Sequence, residues 1–218
     1  MRGLFIKDFK FLKNQKLFLL VLFAFCTYFL VTGENTSFVL GYASAMLATL
    51  AISSVNYDEQ DNGMSYLLTF PVSRKMYVLE KYLYGGLMAV VTVLVEGIFI
   101  LGLVAVKSMS YSWGEIAIQL SFAFLVPAVM MAVMLPVLIK FGTEKSRVAM
   151  LAVIGVILLA CYIVKQAAGA LGIDIWGKVE KFMEADTIRA VAVFGLFAVG
   201  GIVVSYIISI GIMKRKQF

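Results

Sequence analysis

The sequence predicts an all-α membrane protein with six transmembrane helices. Three observations lead there. Of its 218 residues, 62% are hydrophobic and 15% are charged. The apolar residues fall in runs close to 20 long, and the basic residues gather at the ends of those runs. An ordinary globular domain holds roughly 45–50% apolar and about 25% charged residues. A chain this short cannot hide such an excess in a water-soluble core, and its mean hydropathy is +0.96. In hydrocarbon the backbone must satisfy its own hydrogen bonds, which leaves helices or closed barrels. Barrel strands alternate apolar and polar residues, whereas these runs are apolar on every face, so the spans are helical.

The chain reads as one transmembrane domain, 1–218, and opens with an interfacial helix over 1–16. Leu4, Phe5, Phe9 and Leu12 share one face, while Arg2, Lys7, Lys10, Lys13 and Asn14 lie mostly opposite. That pattern suits a helix in the headgroup layer, aromatics down and lysines toward anionic lipid. It serves either as a topology anchor or in coupling. A cleaved signal peptide is the competing reading, but Val31-Thr32-Gly33-Glu34 offers no small-x-small cleavage site.

A span needs about 20 apolar residues. The six runs are Leu17 to Gly33, Phe38 to Asn56, Tyr82 to Val106, Ile116 to Ile139, Val148 to Ala168 and Ala190 to Met213. The loop between the first two is short enough to make them an antiparallel pair. With both termini on one side, that side carries 14 of the 19 basic residues. The positive-inside rule then places the termini and the 57–75 segment in the cytoplasm, N-in and C-in, in a multi-pass protein of the cell membrane.

Span four carries Pro127 and Pro136, which free backbone carbonyls and bend helices; they predict a hinge or static curvature. The stretch 170–188 is too polar to span. Ile175, Trp176, Val179, Phe182 and Met183 can share a face there, predicting a short external helix, either a lid or an interfacial cap.

Several function classes drop out. The basic residues form no patch or aromatic-interleaved stripe, so nucleic acid is not a partner. Histidine is absent and the two cysteines, Cys26 and Cys161, fall inside spans. That argues against a metal site, a disulfide framework or a catalytic constellation. No G-x-x-x-x-G-K-[ST] string is present, so this chain binds no ATP itself and calls for no cofactor.

The densest polar block is Tyr57 to Lys75. Asp58, Glu59 and Asp61 precede Tyr66, Leu67 and Phe70, then Pro71 breaks the run before Arg74. Acids at a helix start and a proline at its end predict a short surface helix; a solvated loop is the plainer alternative. Glu96 sits mid-span with apolar residues for many positions on either side. A charge there costs about 2.5–3.5 kcal/mol on insertion scales and marks either a pathway or a neutralised packing group. In span two, Gly41, Ala45, Thr49 and Ser53 recur every fourth position, and Gly201, Ser205 and Ser209 do so in span six. Such stripes permit close helix approach within a subunit, along a substrate path or at a dimer seam.

The string Tyr57-Asp58-Glu59, followed by Leu67-Leu68-Thr69-Phe70-Pro71-Val72-Ser73-Arg74, Val78 and Lys81-Tyr82, resembles the signature of the ABC-2 family of ABC transporter permeases. The opening Met1-Arg2-Gly3-Leu4 with Lys7-Asp8 is similar to the small bacterial permeases that include the membrane subunits of phenol-soluble modulin exporters. Where relatives often carry an aromatic, this chain has Gly63-Met64. The resemblance implies a cytoplasmic coupling helix between spans two and three that docks on a separate P-loop ATPase, which holds the ATP and Mg. Its elements here would be Asp58, Glu59, Asp61, Tyr66, Leu67, Phe70, Pro71 and Arg74. It also implies a second permease chain, identical or related, and a central path bordered by spans two and five. Glu96, Thr49 and Ser53 are the pathway candidates. The cargo it implies is an amphipathic, membrane-active peptide. Drugs or other lipophilic compounds are the alternative cargo, and a non-transporting assembly or sensor protein is the alternative class.

Overall fold

The computed structural model describes residues 2–32, 36–60, 63–67, 69, 72–107, 112–170, 177 and 187–216. Among them, every regular element is a helix: α1 Arg2–Asn14, α2 Lys16–Thr32, α3 Thr36–Glu59, α4 Gly63–Leu67, α5 Arg74–Lys107, α6 Trp113–Ala170 and α7 Thr187–Arg215. Four stretches are long and apolar enough to cross a membrane: Thr36–Glu59, Arg74–Val104, Trp113–Gly142 and Ile188–Arg215. The α1–α2 pair, bent by 57°, supplies a fifth if it counts as one span.

Helix starts follow local chemistry. The Ser73 hydroxyl accepts a hydrogen bond from the Met76 amide (3.2 Å), capping α5. At α6, the Glu115 amide donates to the Ser112 hydroxyl (3.2 Å) and the Ser112 amide donates to the Glu115 carboxylate (2.9 Å). This reciprocal capping box satisfies two N–H groups that a helix start leaves without partners.

Helix α5 begins at Arg74, about two turns before the run that starts at Tyr82. Its 34 residues extend about 51 Å, well beyond a hydrocarbon core of about 30 Å. The surplus carries Arg74, Lys75, Glu80 and Lys81 out of the apolar zone. Helix α6 runs through both prolines and has its non-helical residue at Gly142 (φ 72°, ψ 177°). The predicted spans four and five lie on either side of that glycine, so the break falls there rather than at Pro127 or Pro136.

Helix α3 is the most enclosed span, with 61% of its most apolar window buried, against 11% for α7. One apolar cluster joins α2, α3 and α5 through residues such as Cys26, Leu40, Leu47 and Met88. The other joins the ends of α3 and α5 to α4, α6 and α7 through Val55, Met64, Tyr77, Leu138 and Met213. Apolar side chains such as Leu94, Ile98, Leu151, Val156, Leu196 and Phe197 point outward, as lipid-facing residues do. Of the external stretch 170–188, all but its ends and Gly177 lies outside the described residues.

Candidate functional site

The most organised polar region lies where α1, the end of α3 and the start of α5 meet. Asp58 stands in the last turn of α3, where the helix dipole leaves partial negative charge and disfavours a carboxylate. Burial adds to that cost: Asp58 is 5% exposed. Cations offset both terms. Lys81 Nζ lies 2.8 Å from Asp58 Oδ2, and Lys7 of α1 donates to Asp58 Oδ1. The Tyr77 hydroxyl donates to Oδ2 as well (3.1 Å).

Lys81 is the hub of this cluster. Its ammonium reaches Asp8 Oδ2 (2.6 Å) on α1, Asp58 on α3 and the Ser54 hydroxyl (3.1 Å), also on α3. Ser54 is free to accept because its own proton goes to the Ala51 carbonyl (2.9 Å). An ammonium has three donors, so these partners use all of them. Lys81 and Asp8 are 2% and 1% exposed, and an ion pair that dry depends on every member being satisfied. Glu80, also fully buried, is the member left over. Its Oε2 is 3.8 Å from Lys81 Nζ and neither oxygen accepts a hydrogen bond.

A second knot joins the remaining helix ends. Lys216 Nζ donates to Glu59 Oε1 (2.9 Å) and to the Ile139 carbonyl (2.9 Å), just before the break in α6. The other Glu59 oxygen lies 3.1 Å from where a Cβ on Gly142 would stand. A glycine is needed there twice over, for the space and for its positive φ. Arg74 donates to the Met213 and Lys214 carbonyls (3.3 and 3.1 Å), capping the end of α7. The two knots together tie α1, α3, α5, α6 and α7 at one end of the bundle. Beside them is a cavity of about 660 Å³, lined by Leu4, Lys7, Tyr57, Asp58, Tyr66 and Val72 among others.

The candidate residues of the 57–75 segment therefore divide. Asp58 and Glu59 end α3 rather than start a surface helix, and Asp58 faces inward. The short helix is α4, of five residues, with Tyr66 69% exposed and Leu67 half-buried. Arg74 reaches α7. Asp61, Phe70 and Pro71 lie outside the described residues. Asp8 and Lys216 were not singled out by pattern, and Glu80 and Lys81 stood out only as charges at the entry to the third span, although Lys7-Asp8 and Lys81 are among the residues that carry the resemblance.

The pathway candidates sit elsewhere. Glu96 is fully buried and accepts a hydrogen bond from Ser44 of α3. Thr49 and Ser53 are half-buried and donate to carbonyls of their own helix, Met46 (2.6 Å) and Thr49 (2.7 Å). The stripe on α7 packs inside the subunit: Tyr82 on α5 shares hydrogen bonds with Ser205 (2.5 Å) and Ser209 (2.9 Å), and Ser205 donates to the Ala132 carbonyl (2.6 Å). A second crevice, about 390 Å³, is lined by Val90, Leu120, Phe124, Val191, Phe194 and other residues of α5, α6 and α7. Neither cavity is lined by Glu96, Thr49 or Ser53. Among the described residues no cluster of three metal-ligating side chains occurs.

No curated protein and no solved structure matches this chain. A family model described as ABC-2 family transporter protein matches residues 3–214, nearly the whole length. That match takes in the whole Lys81 cluster and all but the last residue of the four stretches that could cross a membrane, and stops short of Lys216. The chain belongs to the ABC-2 family of transporter proteins, as a multi-pass membrane subunit.

Proposed function

We propose that this chain is the transmembrane subunit of an ATP-driven exporter of amphipathic, membrane-active peptides. A separate cytoplasmic P-loop ATPase supplies the energy, and a second permease chain, identical or related, completes the pathway. The topology we assign has six spans with both termini in the cytoplasm. Helix α2 is the first span, with α1 lying at the interface, and the limb of α6 over 143–170 is the fifth. Its Val148, Leu151, Val156 and Leu158 are all more than 60% exposed and apolar.

One observation carries the reading: the end of α3, which α4 adjoins, is tied through Asp58 and Glu59 to α1, α5, α6 and α7, in a family whose members normally work with an ATPase. A force applied to α4 reaches α3 first, then α1 and α5 through Asp58 and Lys81. Glu59 and Lys216 carry it to α6 and α7. Two global arrangements of the bundle would then open the path to opposite sides. Exposed Tyr66 and the adjoining cavity offer the ATPase its contact, while buried Asp58 positions that contact from beneath. The apolar crevice between α5, α6 and α7 favours a second cargo class, lipophilic compounds, since it has only Ser121 as a polar lining residue.

Affinity purification from native membranes, followed by transport into inverted vesicles, tests this. A P-loop ATPase should accompany the chain, and ATP should drive accumulation of an amphipathic helical peptide. Recovery without any ATPase would defeat the reading. Accumulation of lipophilic dyes but no peptide would transfer it to the second cargo class.

A further inference from the structure

Glu80 is the unexplained member of the polar cluster. Buried carboxylates are normally hydrogen-bonded, and one that is not calls for a physical reason. Here it stands next to an ammonium whose three donors are already committed to Asp8, Asp58 and Ser54. The gap from Lys81 Nζ to Glu80 Oε2 is 3.8 Å, about 1 Å longer than a charge-assisted hydrogen bond. Asp58, in contrast, has partners to spare: without Lys81 it keeps Lys7, whose side chain is 29% exposed on a flexible stem. One cation thus sits between an acid with surplus donors and an acid with none.

We propose that Lys81 is the positioning residue of the last turn of α3 and works as a two-position latch. With Lys81 on Asp58, the last turn of α3 is held against α5. With Lys81 moved to Glu80, that turn is released while Asp58 follows Lys7. Burial and the nearby Asp8 push the Glu80 carboxyl up to about 7, while Lys81 favours its ionised form. As Lys81 moves onto it, one ion pair opens as another closes, and Asp8 holds Lys81 throughout. Displacement of α4 by a partner would therefore not have to strand a bare ammonium, which makes the movement low in cost in a dry site. The groups facing the latch are Lys7 and Asp8 from α1, Ser54 and Asp58 from α3, and Tyr77 and Glu80 from α5. This inference rests on the proposed ATPase partnership.

The test uses the intact permease–ATPase complex in lipid nanodiscs. Amide hydrogen exchange over 55–60 is compared without nucleotide and with ATP plus vanadate. In the unsubstituted complex, exchange should rise about tenfold or more with nucleotide, the size expected for losing a charge-assisted hydrogen bond. Glu80→Gln removes the alternative negative charge with little change of shape, and should abolish that rise. Asp58→Asn should give high exchange in both conditions. If Glu80→Gln keeps the full nucleotide response, or the unsubstituted complex shows none with the ATPase bound, the latch is wrong and the partnership stands. If no ATPase binds, the partnership itself has failed.

Discussion

Two buried acids on the same helix make an instructive pair. Glu96 lies at mid-span in α5, with one hydroxyl, that of Ser44, against one of its oxygens and nothing on the other. Glu80, 16 positions earlier by number, borders a cluster of two lysines and two further carboxylates. The mid-span acid joins α3 to α5 by a single hydrogen bond within an apolar bundle. The acid near the helix start belongs to a network that joins three helices. Charge that moves with little penalty needs other charge beside it, and only the second region supplies that. On the coupling we propose, the mid-span position serves packing and the helix-end cluster is the working part.

Lys81→Met breaks this comparison most severely. It leaves Asp8 short of its closest cation in a dry pocket, and the loss of one partner from a buried pair costs about 3–5 kcal/mol. Thermal unfolding in detergent should show it. A cost under about 0.5 kcal/mol, typical of surface changes, would mean the cluster holds nothing together. Gly142→Ala comes next. A side chain at that backbone conformation costs about 1–3 kcal/mol, and its Cβ would press on Glu59. The same unfolding measurement applies, and no loss would deny the second knot its tight corner.

Ser44→Ala should cost about 1 kcal/mol, the usual worth of one hydrogen bond, and Glu96→Gln less, because an amide can still accept from Ser44. Losing peptide transport in Glu96→Gln while stability holds would return that residue to the pathway and invert the comparison. Smallest of all is Thr49→Ala. Its hydroxyl serves only its own helix, so stability should stay within about 0.5 kcal/mol. Transport falling in Thr49→Ala without a stability change would mark α3 as pathway lining.

Four spans, or five with the bent α1–α2 pair, were legible because lipid imposes a simple composition rule, and Phe38 to Asn56 satisfies it without any knowledge of neighbours. Asp8 was not: an acid among lysines reads as solvated, and its partner Lys81 is 73 residues away. Asp58 and Glu59 were placed at the start of a helix because the apolar run stops at Asn56. The helix continues to Glu59 because Lys7, Lys81 and Lys216 neutralise its acidic end, a long-range effect that no local pattern records. The break in α6 had a local signal, Gly142 following a run that ends at Ile139, as glycines often follow helix ends. The prolines drew the expectation of a bend instead, although α6 remains helical through both.

The bond between Asp8 and Lys81 also constrains how the protein is made. At roughly 5–20 residues per second, a ribosome needs about 4–15 s to add the residues between them. During that interval α1 has no lysine from α5 to seat on, so it must wait until α5 follows. Assembly of the bundle is then complete only when α1 is fastened, so a segment made before α5 settles after it.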